Sequence, residues 1–291
     1  MKIIKLQLFT LLVLSSYPCL VFAAEQKTSN LPPTYQQWLQ EGADNLAAKN
    51  FEDARQNYAE AAKTAKTNVE KILVQLSIAN IDLAQSKFKD SQFKLLQILT
   101  DKTIPDFISV MVKMSLGQAY AGNGQNEEAR STFREMNALE KSFDRLKILN
   151  QISIAQTFIS EKDYQSAQTE LEKIKSYSQT VPTAQLTSDF WLGKITILQK
   201  RWDEARVKFS DVLKVESNNF TQQERMTARI YQDQARLENA LSYEKEGNRT
   251  QARSELQVLI ERPSVAPQVL AEAKKQLKLL QPTDQIPNET K

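Results

Sequence analysis

The stretch LTSDFWLGKITILQKRWDEARVKFSDVLKVESNN, Leu186 to Asn219, holds two short amphipathic segments that meet at a tight joint around Lys200–Asp203. Gly193 lies in the middle of the first segment and Ala205 near the start of the second. Trp202 stands at the joint, and Phe209 and Val212 follow Ala205 at offsets of four and seven. Those offsets put all three on one face of a helix. The pair of segments reads as an antiparallel helix hairpin.

The arrangement recurs along the chain. Small residues sit centrally in helical patterns at Gly42, Ala79, Gly117, Ala155, Gly193 and Ala240. These we call the pivots of hairpins 1 to 6; their spacings are 37, 38, 38, 38 and 47 residues. Twelve residues after each pivot comes a second small residue: Ala54, Ser91, Ala129, Ala167, Ala205 and Ala252. Four further on stand Tyr58, Leu95, Phe133, Leu171, Phe209 and Leu256. Three beyond those stand Ala61, Ile98, Met136, Ile174, Val212 and Leu259. Phe51, Phe88, Tyr164 and Trp202 precede the second small residue by three, where an aromatic ring covers the end of a hairpin core.

The physics of the pattern is close helix approach. A small residue at a crossing lets two backbones come together where bulk would hold them apart. Glycine inside a helix costs up to about 1 kcal/mol relative to alanine. Its recurrence at Gly42, Gly117 and Gly193 therefore marks crossings that need the space. One hairpin cannot bury its apolar face alone, so neighbours stack. The long interval before Ala240 predicts a single helix over 221–245, about seven turns. Ala266 to Leu280, with Val269, Leu270, Ala273, Leu277 and Leu280, reads as a terminal capping helix.

These residues make the chain resemble the tetratricopeptide repeat (TPR) family, whose unit is a helix–turn–helix of 34 residues. Hairpin 1 carries the resemblance best, through Trp38, Gly42, Ala54, Tyr58 and Ala61; hairpin 3 adds Gly117, Tyr120, Ala129 and Phe133. Spacings of 38 depart from the family's period and imply an extra turn or longer links. The resemblance implies an all-α fold, a right-handed helix-hairpin solenoid of about six repeats over 35–280 with a C-terminal capping helix. It further implies that first helices line a concave face that receives a partner segment. The residues this assigns to partner binding are Asn80, Gln118, Gln156, Phe190 and Lys194. Leu76, Met114, Ile152 and Ile197 share those places, and the first three have a competing reading as core.

The ends read differently. Lys2 and Lys5, an apolar run from Leu6 to Leu14 and Val21-Phe22-Ala23 make residues 1–23 a cleaved signal peptide, cut after Ala23. The apolar run is short for a spanning helix, which needs about 20 residues. Cys19 follows Ser16-Tyr17-Pro18, a poor lipoprotein context, and is the sole cysteine. Residues 24–34 read as a flexible lead-in, and 281–291, with Pro282 and Pro287, as a disordered tail. The expected location is the periplasm of a bacterium, with no membrane span in the mature chain.

Composition narrows the chemistry. The chain has 38 basic and 35 acidic side chains; without Lys2 and Lys5 the balance is 36 to 35. Such a balance gives no reason to expect nucleic acid or an anionic membrane. Histidine is absent, so the common general base near neutral pH is missing. There is no glycine-rich phosphate loop, and the reading is of no enzyme, no cofactor and no metal. Glu127-Glu128 and Asp203-Glu204 stand at the starts of second helices, where negative charge favours the helix N-terminus. Asn219-Phe220-Thr221 matches an N-glycosylation pattern that has no meaning in a bacterial host. The expected function is a protein-interaction scaffold for an envelope assembly, with an envelope protein or peptide segment as partner. An exposed apolar end would also permit a homo-oligomer. The alternative is a carbohydrate-binding module using Trp38, Trp191 and Trp202 as platforms.

Overall fold

The computed structural model describes residues 34–137 and 144–280. The signal-peptide, lead-in and tail readings lie outside the described residues, apart from Thr34. The described residues fall into two compact units, divided between residues 140 and 141. Unit 1 holds hairpins 1 to 3: α1 (Tyr35–Ala47) with α2 (Phe51–Thr64), α3 (Asn68–Ala84) with α4 (Phe88–Leu99), and α5 (Asp106–Gly122) with α6 (Asn126–Asn137). Unit 2 holds hairpins 4 to 6: α7 (Asp144–Ser160) with α8 (Tyr164–Lys173), α9 (Ala184–Leu198) with α10 (Trp202–Lys214), and α11 (Gln222–Glu246) with α12 (Arg249–Glu261). A 3-10 turn, Ile174–Tyr177, extends α8, and α13 (Pro267–Leu279) closes the unit. The fold is a TPR-like helix-hairpin array with a trailing cap.

The helix starts are written in capping chemistry. Thr34, Thr67 and Thr221 each accept from the third residue inside the helix, and Gln37, Glu70 and Glu224 reach back to the cap amide. Each is a capping box satisfying two otherwise orphaned donors. Pro267 opens α13, where its missing N–H costs nothing.

All six hairpins turn in one way. The residue seven after each pivot has positive φ: Lys49, Ser86, Gly124, Lys162, Lys200 and Gly247. The next amide donates five residues back, as in Asn50 N to Asn45 O at 2.8 Å and Arg201 N to Thr196 O at 2.9 Å. This left-handed C-cap with its 6→1 bond is the Schellman motif. Four of the six positions hold lysine or serine, which do not announce a left-handed residue.

Every residue of the pivot, second-small, large and trailing series is buried. The three glycine pivots lie against the large residue sixteen positions on. A Cβ at Gly42 would sit 2.5 Å from Tyr58 Cε1, one at Gly117 2.5 Å from Phe133 Cε1, and one at Gly193 2.7 Å from Phe209 Cε1. Wherever the pivot is alanine, the residue sixteen on is leucine: Ala79 with Leu95, Ala155 with Leu171, Ala240 with Leu256. Glycine and ring are therefore two halves of one packing solution. The joint residues Phe51, Phe88, Tyr164 and Trp202 each open a second helix and are half-buried.

Charged groups fasten neighbouring hairpins. Asp82, at the end of α3, has a side chain 3% exposed. It takes Arg55 of α2 at 2.5 Å and Lys94 of α4. Burial pushes its carboxyl up, but the hydrogen bonds from Lys94 and Arg55 outweigh that and hold it below the usual range. In hairpin 5, Arg206 lies 4.6 Å over the Tyr243 ring of α11 and pairs with Glu246 at 2.9 Å. Arg55 and Arg206 occupy one register, the position after the second small residue.

Candidate partner-binding face

The first helices α1, α3 and α5 in unit 1, and α7, α9 and α11 in unit 2, carry the positions assigned to a partner. Leu76, Met114 and Ile152 are 2%, 1% and 2% exposed, so the core reading holds for all three. Phe190 joins them. It is 4% exposed and sits among Phe209, Tyr231 and Trp191, at ring-centroid distances of 6.0, 5.2 and 5.8 Å. The expectation of an open groove contact at Phe190 gives way to a core aromatic.

The polar members remain half-buried. Asn80, Gln118, Gln156 and Lys194 each follow a pivot by one residue, on α3, α5, α7 and α9. Two of them share a job that sequence reasoning missed. Asn80 Oδ1 accepts from Ser115 Oγ of α5 at 2.7 Å. Lys194 Nζ donates to Glu238 of α11. Ser115 and Glu238 each precede the next pivot by two. The residue after one pivot thus ties laterally to the residue two before the next, once in each unit. A search for polar pairs at that offset would have found both ties. Lys194 is thereby neutralised, its side chain 25% exposed and that of Glu238 16%.

Gln118 differs from these. Its Nε2 is buried and has no hydrogen-bond partner. An unpaired buried donor costs about 1–3 kcal/mol, which a bound acceptor would recover. In unit 1, Leu73, Leu83 and Met111 are half-buried and pack against the buried core cluster of α3 to α5. This face offers apolar area, two amides and no charge at the places that share their register.

Unit 2 presents another surface. α9 is buried on most sides, including Leu186, Thr187, Phe190, Leu192 and Ile195. The long α11 brings Ala228 and Tyr231 against Leu186 and Phe190. Burial pushes the Tyr231 hydroxyl above its ordinary value. Nine residues of spacing beyond the usual 38 put this extra helix over α9, and a local period carries no trace of where they go.

The acidic pairs sit where the sequence puts them. Glu127 and Glu128 open α6, and Asp203 and Glu204 open α10. Glu127 pairs with Arg130 at 2.5 Å, Asp203 with Arg206, and Glu204 with Arg201 at 2.7 Å. Such pairing leaves them structural work at helix starts. Among the described residues no cluster of three or more His, Cys, Asp or Glu is placed to hold a metal ion. Among the same residues no helix is long and apolar enough to cross a membrane. Trp38 and Trp191 pack against hydrophobic core clusters, and Trp202 is half-buried at its joint.

In backbone course the chain is similar to a tetratricopeptide repeat protein from Parabacteroides merdae, at 14% identity over 84% of this chain and 86% of that one, with a TM-score of 0.48. It is also similar to yeast Tom70, at 12% identity over 94% of this chain and 69% of that one, with a TM-score of 0.39. No protein-family profile and no curated protein matches the sequence.

Proposed function

We propose that this chain is a non-enzymatic interaction scaffold of the bacterial periplasm, exported by a cleaved signal peptide, that holds a segment of an envelope protein. The segment lies along the first-helix face of unit 1, with Asn80 and Gln118 meeting its backbone and Leu73, Leu83 and Met111 its apolar side chains. One observation carries the reading: the buried, unpartnered Nε2 of Gln118, in register with Asn80 one hairpin away. Peptide recognition combines such main-chain hydrogen bonds with side-chain pockets. Gln156 holds the equivalent place on α7 in unit 2, and Lys194 on α9 is committed to Glu238.

The test uses the purified exported protein as bait in envelope extracts, beside a variant carrying Asn80→Arg and Gln118→Arg. The wild type is expected to retain one specific envelope protein and the variant at least about tenfold less of it. Equal retention by both, with the variant folded by circular dichroism, would place the contact elsewhere.

A further inference from the structure

The N-terminal part of α11 is more than an elongated first helix. It runs 18 residues ahead of its pivot, whereas α9 starts nine ahead and α7 eleven. Its inner stripe is Glu224, Ala228 and Tyr231, all buried, at the i, i+4, i+7 spacing of one helix face. From Gln232 onward α11 is anchored. Gln232 Nε2 donates to Val215 O at 2.9 Å, and Asp233 pairs with Arg262 at 3.1 Å. Arg229, one turn earlier, donates to Pro263 O. Ahead of Arg229, the polar link from α11 to another helix is Arg145. Its Nη1 donates to Gln223 Oε1 at 2.9 Å and its Nη2 to Glu224 Oε1 at 3.1 Å. Arg145 belongs to α7, so hairpin 4 is tied to hairpin 6 across the start of hairpin 5.

We propose that Gln222–Ala228 is a strap latched by Arg145, closing the first-helix side of α9 that the equivalent helix of unit 1 leaves half-open, so that access to α9 is gated by that one ion pair. The proposal rests on the reading of first helices as the partner face: release of the strap is what admits a segment to unit 2. The latch has the build of a releasable contact. Glu224 is held from below by its own cap, with Thr221 N donating to Glu224 Oε2 at 2.9 Å, so its carboxylate stays ordered when Arg145 leaves. The Arg145 side chain is 47% exposed while that of Glu224 is 9% exposed, so solvent reaches the latch from the arginine side. Partly exposed pairs of this kind are weak and screened by salt.

Thiol labelling reads the strap with no partner present, so its outcome is separate from that of the bait experiment. The mature chain, cut after Ala23, carries no native thiol, and Thr187→Cys places a probe on α9 beneath Tyr231. Ser242→Cys places a second buried probe on α11, beyond the strap. Arg145→Ala is expected to raise the labelling rate at residue 187 about two- to fivefold, the range of a partly exposed ion pair, and to leave residue 242 unchanged. Raising salt in the parent is expected to do the same, and to do nothing further once Arg145 is gone. Hydrogen exchange of the 222–228 amides, read in the Arg145→Ala protein without either cysteine, is expected to quicken while 235–246 stays protected. Rates that rise together at 187 and 242, or that do not move at either, overturn the strap.

Discussion

Hairpins 1, 3 and 5 and hairpins 2, 4 and 6 solve one packing problem in two ways. The odd hairpins set a glycine pivot under an aromatic ring, and the even ones an alanine under a leucine. The odd second helices also open with two acids, an alanine and an arginine: Glu52-Asp53-Ala54-Arg55, Glu127-Glu128-Ala129-Arg130 and Asp203-Glu204-Ala205-Arg206. The even ones have Lys89-Asp90-Ser91-Gln92, Gln165-Ser166-Ala167-Gln168 and Thr250-Gln251-Ala252-Arg253. Arg55 and Arg206 reach forward to Asp82 and Glu246 on the first helix of the following even hairpin. The difference teaches that the pivot, its partner and the next hairpin's fastening vary together. The volume at the crossing is conserved within the chain although the residues are not.

The largest effect expected from that contrast is alkaline. Among the odd rings, Tyr58 alone carries a hydroxyl, and burial pushes its pKa up to about 12. A raised tyrosine pKa means the fold holds the neutral form. Its contribution is complete below pH 10, falls as pH rises from about 10 to 12, and amounts to about 2–3 kcal/mol. Tyr35, also raised to about 12 by burial, acts in the same direction. Denaturant unfolding across that window is expected to show the decline, and Tyr58→Phe to reduce it. An unchanged decline in Tyr58→Phe would separate the ring from the hydroxyl's burial.

Next in size is the glycine itself. Gly193→Ala brings a methyl to 2.7 Å from Phe209, an overpacking cost of about 1–3 kcal/mol set against a helix gain of about 1 kcal/mol. Phe209→Leu on top of it recreates the even pairing and is expected to restore part of the loss. A double-mutant cycle measures this as a coupling of about 1–2 kcal/mol. Additive losses would mean that ring and pivot are independent and the alternation is incidental.

The smallest effect concerns a feature common to both classes. Lys49, Lys162 and Lys200 sit at φ 64, 64 and 61. Each replacement by glycine is expected to stabilise by about 1 kcal/mol, because a left-handed side chain is strained. Gly124→Ala is expected to cost a similar amount, since its Cβ would meet nothing within 4 Å and only the backbone term remains. Thermal unfolding of the four single variants checks the sign.

The register of pivots, second small residues and trailing apolar residues was legible because crossing distance is a local demand on residue size. The helix over 221–245 and the cap over 266–280 were legible as uninterrupted periodicity, and are observed as Gln222–Glu246 and Pro267–Leu279. The partner face was legible only in part. Phe190 stands three before its pivot, the register of Leu76, Met114 and Ile152, and all four are core; the period alone does not divide core positions from groove positions on a first helix. Asn80 and Lys194 read as free groove polars because their ties to Ser115 and Glu238 join residues 35 and 44 positions apart. The left-handed turns were hidden by lysine and serine standing where glycine would have declared them.

The central functional claim concerns which first helices meet a partner. Photo-cross-linking residues placed singly at Asn80, Gln118, Gln156 and Lys194, and at the exposed control Gln97 on α4, test it in living cells. The expected result is adducts with one envelope protein from 80 and 118, none from 97, and none from 194, which lies against Glu238 of α11. Adducts from 97 as strong as those from 118, or none from either 80 or 118, would contradict a partner seated on the first-helix face of unit 1.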